Sequence, residues 1–200
     1  ACCDVIIATE DSTIAMGGPA MIEGGGLGIY TPEEVGPMSF QVPNGVVDIL
    51  VENEAEAVRV AKQYLSYFQG SISTWEAADQ RKLRHIVPEN RLRLYDMREI
   101  ISTIADRESV LEIRAGFGVG VITCFIRVEG KAVGVIANNP HHLAGAIDSD
   151  AADKGTRFIQ LCDAFDIPIL SLMDCPGMMV GPEVEATALV RHCVRMFNAG

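Results

Sequence analysis

Most of the patterns that identify a site at a glance are missing from this sequence. No uninterrupted apolar run approaches the ~18 residues that a membrane-spanning helix needs, and no secretory signal pattern is visible. Basic charge is scarce: 16 Lys and Arg stand against 27 Asp and Glu, a net charge of −11. That balance cannot neutralise a run of phosphates and excludes nucleic acid as a partner. The six cysteines (Cys2, Cys3, Cys124, Cys162, Cys175 and Cys193) form no Cys-x-x-Cys pair and keep no zinc-like spacing with histidine. Most sit in apolar runs, where a free thiol behaves as a small hydrophobe, and this fits a reducing, cytoplasmic setting. No Gly-x-Ser-x-Gly elbow is present to carry a serine nucleophile. The glycine run 24–26 is followed by no Gly-Lys-Ser/Thr and is no phosphate loop. No Gly-x-Gly-x-x-Gly follows a strand, which argues against a doubly wound nucleotide-binding sheet.

What is present describes a globular α/β protein. With 48% hydrophobic and 22% charged residues over 200 positions, the chain can bury a core in one large domain or in parts of two. Residues 4–8 and 13–16 read as short strands, and a short helix is expected over 20–23. Thr31-Pro32-Glu33-Glu34 is a helix start, with Thr as N-cap and Pro in the first turn. A strand over 46–51 precedes an amphipathic helix over 54–68, with Ala57, Val58, Ala61, Leu65 and Phe68 on one face and Gly70 after its end. Over 71–94 periodicity fades and charge rises, as in a linker. The basic clusters Arg81-Lys82-Leu83-Arg84-His85 and Arg91-Leu92-Arg93 read as a solvated face of it, with contact to one phosphorylated ligand as the alternative. A second unit starts at Asp96: a helix over 97–104, strands over 118–128 and 132–137 joined by a tight hairpin at Glu129-Gly130-Lys131, a helix over 150–165, a strand over 167–173 and a closing helix over 183–198. The chain opens inside a strand-like segment and closes just after a helix, so a piece of a longer protein is expected.

Side chains offer little conventional catalysis. His141 and His142 lack a nucleophile or metal partners and read as polar loop residues. His192, on the last helix beside Arg191, reads as an interface or capping residue. Cys175 has no paired base. Asp148, Asp150 and Asp153 match no calcium loop, and Asp150 and Asp153 favour the N-terminus of the helix they open. What remains is main chain. Gly17-Gly18, Asn138-Asn139 and the loop Asp174-Cys175-Pro176-Gly177-Met178-Met179-Val180-Gly181 are places where backbone N–H groups can approach a ligand closely. The loop follows a buried strand and precedes a helix, the arrangement of an anion cradle, and it suits an oxyanion in thioester or enolate chemistry.

Three segments together resemble the carboxyltransferase component of biotin-dependent acyl-CoA carboxylases, the group of the propionyl-, methylcrotonyl- and acetyl-CoA enzymes. They are Met16-Gly17-Gly18-Pro19; Tyr95-Asp96-Met97-Arg98-Glu99-Ile100-Ile101 continuing through Gly118-Val119-Gly120 to Gly134-Val135-Ile136-Ala137-Asn138-Asn139-Pro140; and Asp153-Lys154-Gly155-Thr156-Arg157-Phe158-Ile159 with Cys162-Asp163-Ala164-Phe165, Ile167-Pro168, Asp174-Cys175-Pro176-Gly177, Gly181, Glu185, Arg191 and His192. The resemblance implies a crotonase-like (ClpP/crotonase) ββα superhelix made of parts of two related domains: 1–70 from the first, 71–94 a linker, 95–200 from the second. It implies transfer of a carboxyl group from carboxybiotin to the α-carbon of a short or medium acyl-CoA, through an enolate held by backbone oxyanion holes. The segments forming those holes are expected outside the chain, so the chain alone is expected to be inactive and no catalytic residue is assigned within it. Pocket candidates are Gly17, Gly18, Asn138, Asn139, Gly177, Met178 and Gly181, with no metal. Implied partners are a biotin carboxylase, a biotin carboxyl carrier and further copies of the subunit, as a dimer assembled into a trimer of dimers. Neither nucleic acid nor membrane is expected, and the setting is the cytoplasm, or the mitochondrial matrix in a eukaryote. A glutaconyl-CoA-type decarboxylase subunit or a non-catalytic scaffold paralogue are the alternatives. Met178 stands where the family usually has an aromatic residue, and Ala188 where it often has glycine.

Overall fold

A computed structural model of the chain describes residues 3–90 and 92–200; Ala1, Cys2 and Arg91 lie outside the described residues. The chain forms two compact units, divided between Ala61 and Lys62.

In the first unit, β1 (Ile7–Thr9) pairs in parallel with β2 (Ile49–Val51). Its core is Ala8, Met38 and Val47, with Ile6, Ile14 and Val42 packed against them. Three short helices connect the strands: α1 (Pro19–Gly24), α2 (Pro32–Val35) and α3 (Met38–Gln41). The Thr31 and Glu34 side chains close a reciprocal capping box on α2, as the sequence pattern implies. The strand expected over 13–16 does not form. Only Thr13 makes a bridge, to Pro37, and Ala15 and Met16 point to solvent. The segment runs into Gly17-Gly18-Pro19, which cannot extend a ladder.

The helix α4 (Glu54–Ser66) carries the division between the units. Its buried side matches the expected one in part: Ala57, Ala61 and Phe68 are half-buried, and Val58 and Leu65 are not. Val58 and Leu65 are each 55% exposed, whereas Val60 and Tyr67, just past the helix end, are buried. The aromatic side chains decide this. Tyr64, Tyr67 and Phe68 surround the fully buried Phe125 at ring-centroid distances of 6.0, 5.4 and 5.6 Å. Large rings outweigh Val and Leu in the area they remove from water. The segment 71–94 carries a 3-10 turn, Gln80–Lys82, and a short helix, α5 (Leu83–Ile86).

The second unit is built on a four-stranded sheet in the order β3 (Leu111–Ile113), β4 (Val121–Val128), β5 (Lys131–Asn138), β6 (Ile169–Leu172). The first three strands are antiparallel; β6 joins β5 in parallel after the crossover helix α7 (Ser149–Ala164). Val128 faces Lys131 across a two-residue turn in which Glu129 (φ 51) and Gly130 (φ 75) are both left-handed. Alternation along the strands separates the two faces. Ile122, Cys124, Ile126, Val135 and Ala137 pack under α6 (Met97–Ile104) with Met97 and Ile101. On the other face, Gly134 lets α7 come close: a Cβ there would meet Cys162 Sγ at 2.6 Å. The closing helix is interrupted. α8 (Pro182–Glu185) and α9 (Leu189–Ala199) are separated by a break at which Ala188 is left-handed (φ 62, ψ 40). Among the described residues, no helix is long and apolar enough to cross a membrane.

Candidate functional site

The loop 174–181 leaves β6 at the sheet edge and is fastened to a second loop, 139–147, that leaves the neighbouring strand β5. The Gly177 carbonyl accepts from Ile147 N (3.1 Å), and Met179 N donates to the Ile147 carbonyl (2.8 Å). This forms a single bridge of parallel pairing, Ile147 with Met178. Nearer its start, the loop rests on Gly145. A Cβ at that position would lie 2.5 Å from the Asp174 carbonyl oxygen, and φ is +84; both facts require glycine.

The second loop is itself held by the two asparagines. Asn138, 1% exposed, donates from Nδ2 to the Gly145 carbonyl (2.8 Å). Asn139 donates its N–H to Gly120 O and its Nδ2 to Val119 O, both at 2.9 Å, and accepts from His141 N at 3.1 Å. Leu143 (φ 47) and Ala144 (φ 52) precede Gly145, so three consecutive residues are left-handed. Such backbone persists where neighbours over-determine it. His142 Nε2 lies 3.0 Å from Asp148 Oδ2, while Asp148 Oδ1 caps α7 through Ala151 N. His142 therefore ties the loop to the start of α7.

The structure thus brings together four of the expected residues, Asn138, Asn139, Gly177 and Met178, around residues 145–147. Gly181 stands at the far end of the loop as the N-cap of α8, with φ 126. Gly17 and Gly18 belong to the first unit. Gly18 is exposed and extended there, with open space where a Cβ would stand. Several amides in the group are already engaged. Asn139 N–H goes to Gly120, and Gly177 N–H to Cys175 Sγ at 3.2 Å. Asn138 Oδ1 and Lys154 Nζ are among the buried polar atoms of the described residues that have no hydrogen-bond partner. Lys154 is 1% exposed on α7, and burial pushes its ammonium down to about 8, partly opposed by Glu112. Cys124 and Cys162 are fully buried thiols that burial pushes up to about 12, as expected of inert core cysteines. Asp153 faces His192 Nδ1 at 2.8 Å and Arg195 at 3.8 Å, so His192 links α9 to α7. No group of three His, Cys, Asp or Glu able to hold a metal occurs among the described residues.

A cavity of about 440 Å³ opens beside the loop. Val87, Pro88, Leu94, Pro140 and Ala144 give it apolar walls, and Arg93, Tyr95 and Asp174 give it polar ones. Tyr95 OH donates to Asp174 Oδ2 at 2.6 Å. Burial first, and then Asp174, push the Tyr95 phenol up to about 12. Nothing in the sequence joins positions 79 residues apart, so Tyr95, Asp174 and Gly145 were not legible as one group.

A strand-edge loop of glycines over an asparagine-braced turn, with no metal cluster and no elbow nucleophile among the described residues, is a main-chain scaffold. Residues 1–199 match the carboxyl transferase domain family. The chain belongs to that family. This carboxyl transferase chain is 34% identical to the propionyl-CoA carboxylase beta chain of Cereibacter sphaeroides over 98% of its length and 40% of that protein's. It is 32% identical to the methylmalonyl-CoA carboxyltransferase 12S subunit of Propionibacterium freudenreichii over 98% and 39%. The 12S crystal structure, a hexamer assembly with methylmalonyl-coenzyme A and methylmalonic acid bound, superposes with a TM-score of 0.84 at 30% identity, over 98% of this chain and 39% of that one. A single-chain, multi-domain long-chain acyl-CoA carboxylase superposes with a TM-score of 0.97 at 57% identity, over 98% of this chain and 20% of that one. The chain spans about 40% of the length of the curated relatives it matches.

Proposed function

We propose that the protein carrying this chain is the carboxyltransferase of a biotin-dependent acyl-CoA carboxylase, and that its substrate is a long-chain acyl-CoA. The observation that carries the reading is the unbroken family match over residues 1–199. The 57% identity to a long-chain acyl-CoA carboxylase supports the substrate class and moves it from the short or medium chain that resemblance alone implied.

In this reading the parts 1–70 and 95–200 come from two related crotonase-like domains, joined by 71–94. Biotin, brought by a carrier partner, supplies a carboxyl group already activated for transfer. The cavity beside the loop suits such a group. Its apolar walls match the ring's stem, and Asp174 offers a carboxylate oxygen to a ureido N–H. The residues that would hold it are Leu94, Pro140 and Asp174. Asn138 and Asn139 hold the 139–147 turn, and Ile147 of that turn holds Gly177 and Met178 in place. The enolate of the acyl-CoA is stabilised by backbone donors in segments outside this chain, so the work of these 200 residues is to build the wall and exclude water. Assembly with a biotin carboxylase, a carrier and further copies of the subunit follows from the same reading.

The test is an acyl-CoA panel from three to eighteen carbons, offered to the full-length protein with its carboxylase partner, bicarbonate and ATP. The expected result is carboxylation with kcat/KM rising toward the long chains. Preference for propionyl-CoA would remove the substrate assignment.

A further inference from the structure

We infer that Tyr95 is a positioning residue: it latches the loop 174–181 through Asp174 and thereby sets how the carboxyl donor sits in the adjoining cavity. The inference rests on the carboxyl-transfer reading for its functional half and on geometry for the latch. The Tyr95 ring packs against the cluster around Met97 and Ile101, so its hydroxyl is delivered from a fixed base. The 2.6 Å bond to Asp174 Oδ2 is short and charge-assisted, the stronger class of hydrogen bond. With the phenol pushed up to about 12, the hydroxyl remains a donor across the neutral range.

Tyr95 fixes the Asp174 carboxylate, and the Asp174 carbonyl lies close over Gly145, where a side chain would collide with it. The next fastening is the Ile147 N–H on the Gly177 carbonyl, which begins the Ile147–Met178 bridge, so only Cys175 and Pro176 span the two. Arg93 lines the same cavity as Tyr95 and Asp174. With the phenol hydroxyl gone, the Asp174 carboxylate is free to turn toward that guanidinium across the opening. The latch keeps the cavity open by giving Asp174 a partner on the wall.

The test uses the full-length protein. Tyr95→Phe should speed amide exchange in residues 175–181 roughly three- to tenfold, the loss of one charge-assisted bond at a partly exposed site. Exchange in α6 and β4 should be unchanged. In the reverse assay, with free biotin as carboxyl acceptor, KM for biotin should rise by a similar factor while KM for the acyl-CoA stays within about twofold. Asp174→Asn, whose amide oxygen still accepts from the phenol, should lie nearer wild type than Tyr95→Phe in both readouts. Unchanged exchange in 175–181, exchange raised equally in α6, an unchanged KM for biotin, or a KM for the acyl-CoA that rises as much as that for biotin would overturn the assignment. A wild-type protein that transfers no carboxyl group at all would remove the functional reading, while the exchange arm would still decide the latch.

Discussion

Replacing Ala188 with glycine should stabilise the protein, although glycine between helices normally does the reverse. Ala188 has φ 62 and ψ 40 at the break between α8 and α9. A left-handed conformation costs an L-residue roughly 1–2 kcal/mol through its Cβ. Glycine removes that cost and returns roughly 0.5–1 kcal/mol in unfolded-chain entropy. The Ala188 methyl is exposed, so little packing is lost. The net is a gain of about 0.5–1 kcal/mol. Its effect should concentrate at the start of α9, where Arg191 and His192 donate to the Ala188 carbonyl at 2.9 and 3.3 Å. A protein with several units need not unfold in one step, so native-state amide exchange at Arg191 and His192 is the proper assay. Ala188→Gly should slow it about two- to fivefold. Ala186→Gly, at an ordinary helical φ of −61 two residues earlier, is the control and should speed it. If both substitutions speed exchange alike, the strain assigned to Ala188 does not exist.

Two further substitutions test the scaffold under the loop and the buried charge on α7. Gly145→Ala meets both a positive φ and the Asp174 carbonyl, and should cost about 1–3 kcal/mol; thermal unfolding of the full-length protein measures it, and a Tm unchanged from wild type would show that the contact between the loops is not held as described. Lys154→Met should raise Tm at pH 7, because an unpartnered buried ammonium is replaced by an apolar chain of similar length. The folded value near 8 lies below the ordinary 10.5, so the unfolded chain binds the proton more tightly. Below pH 8 both states are protonated and the wild type carries the whole burial cost; between about 8 and 10.5 its stability contribution recovers. The advantage of Lys154→Met should therefore shrink across that window, and a difference independent of pH contradicts the burial account.

Local chemistry was the legible part of this fold. The Thr31 to Glu34 capping box, the helix Met97–Ile104 and the Glu129-Gly130 turn each depend on residues within four positions of one another, and each formed where its pattern placed it. Long-range packing was less legible. Phe125, far along the chain, draws Tyr64 and Tyr67 inward beside Phe68, so the apolar stripe of α4 misled at Val58 and Leu65. β3 is three residues long and exists because β4 offers an edge, too little for any pattern to announce. The strand expected over 13–16 failed for want of a partner. A helix pattern over 183–198 contains no breaker, and the break at Ala188 is a conformation rather than a residue type.

The candidate site divides in the same way. Glycines and asparagines marked the two loops, because few other residues adopt such backbone or brace it. That Gly145 carries Asp174, and that Tyr95 reaches it, depends on the β5 to β6 crossover placing two strand ends side by side.

Carboxyl transfer can be followed atom by atom. Full-length protein, its biotin carrier loaded from ¹³C-bicarbonate by the biotin carboxylase partner, is mixed with a long-chain acyl-CoA, and the product is read by NMR. The expected product carries a single labelled carboxylate on the α-carbon, formed only when carrier and acyl-CoA are both present. Label that never leaves the carrier, whatever acyl-CoA is supplied, would contradict carboxyl transfer.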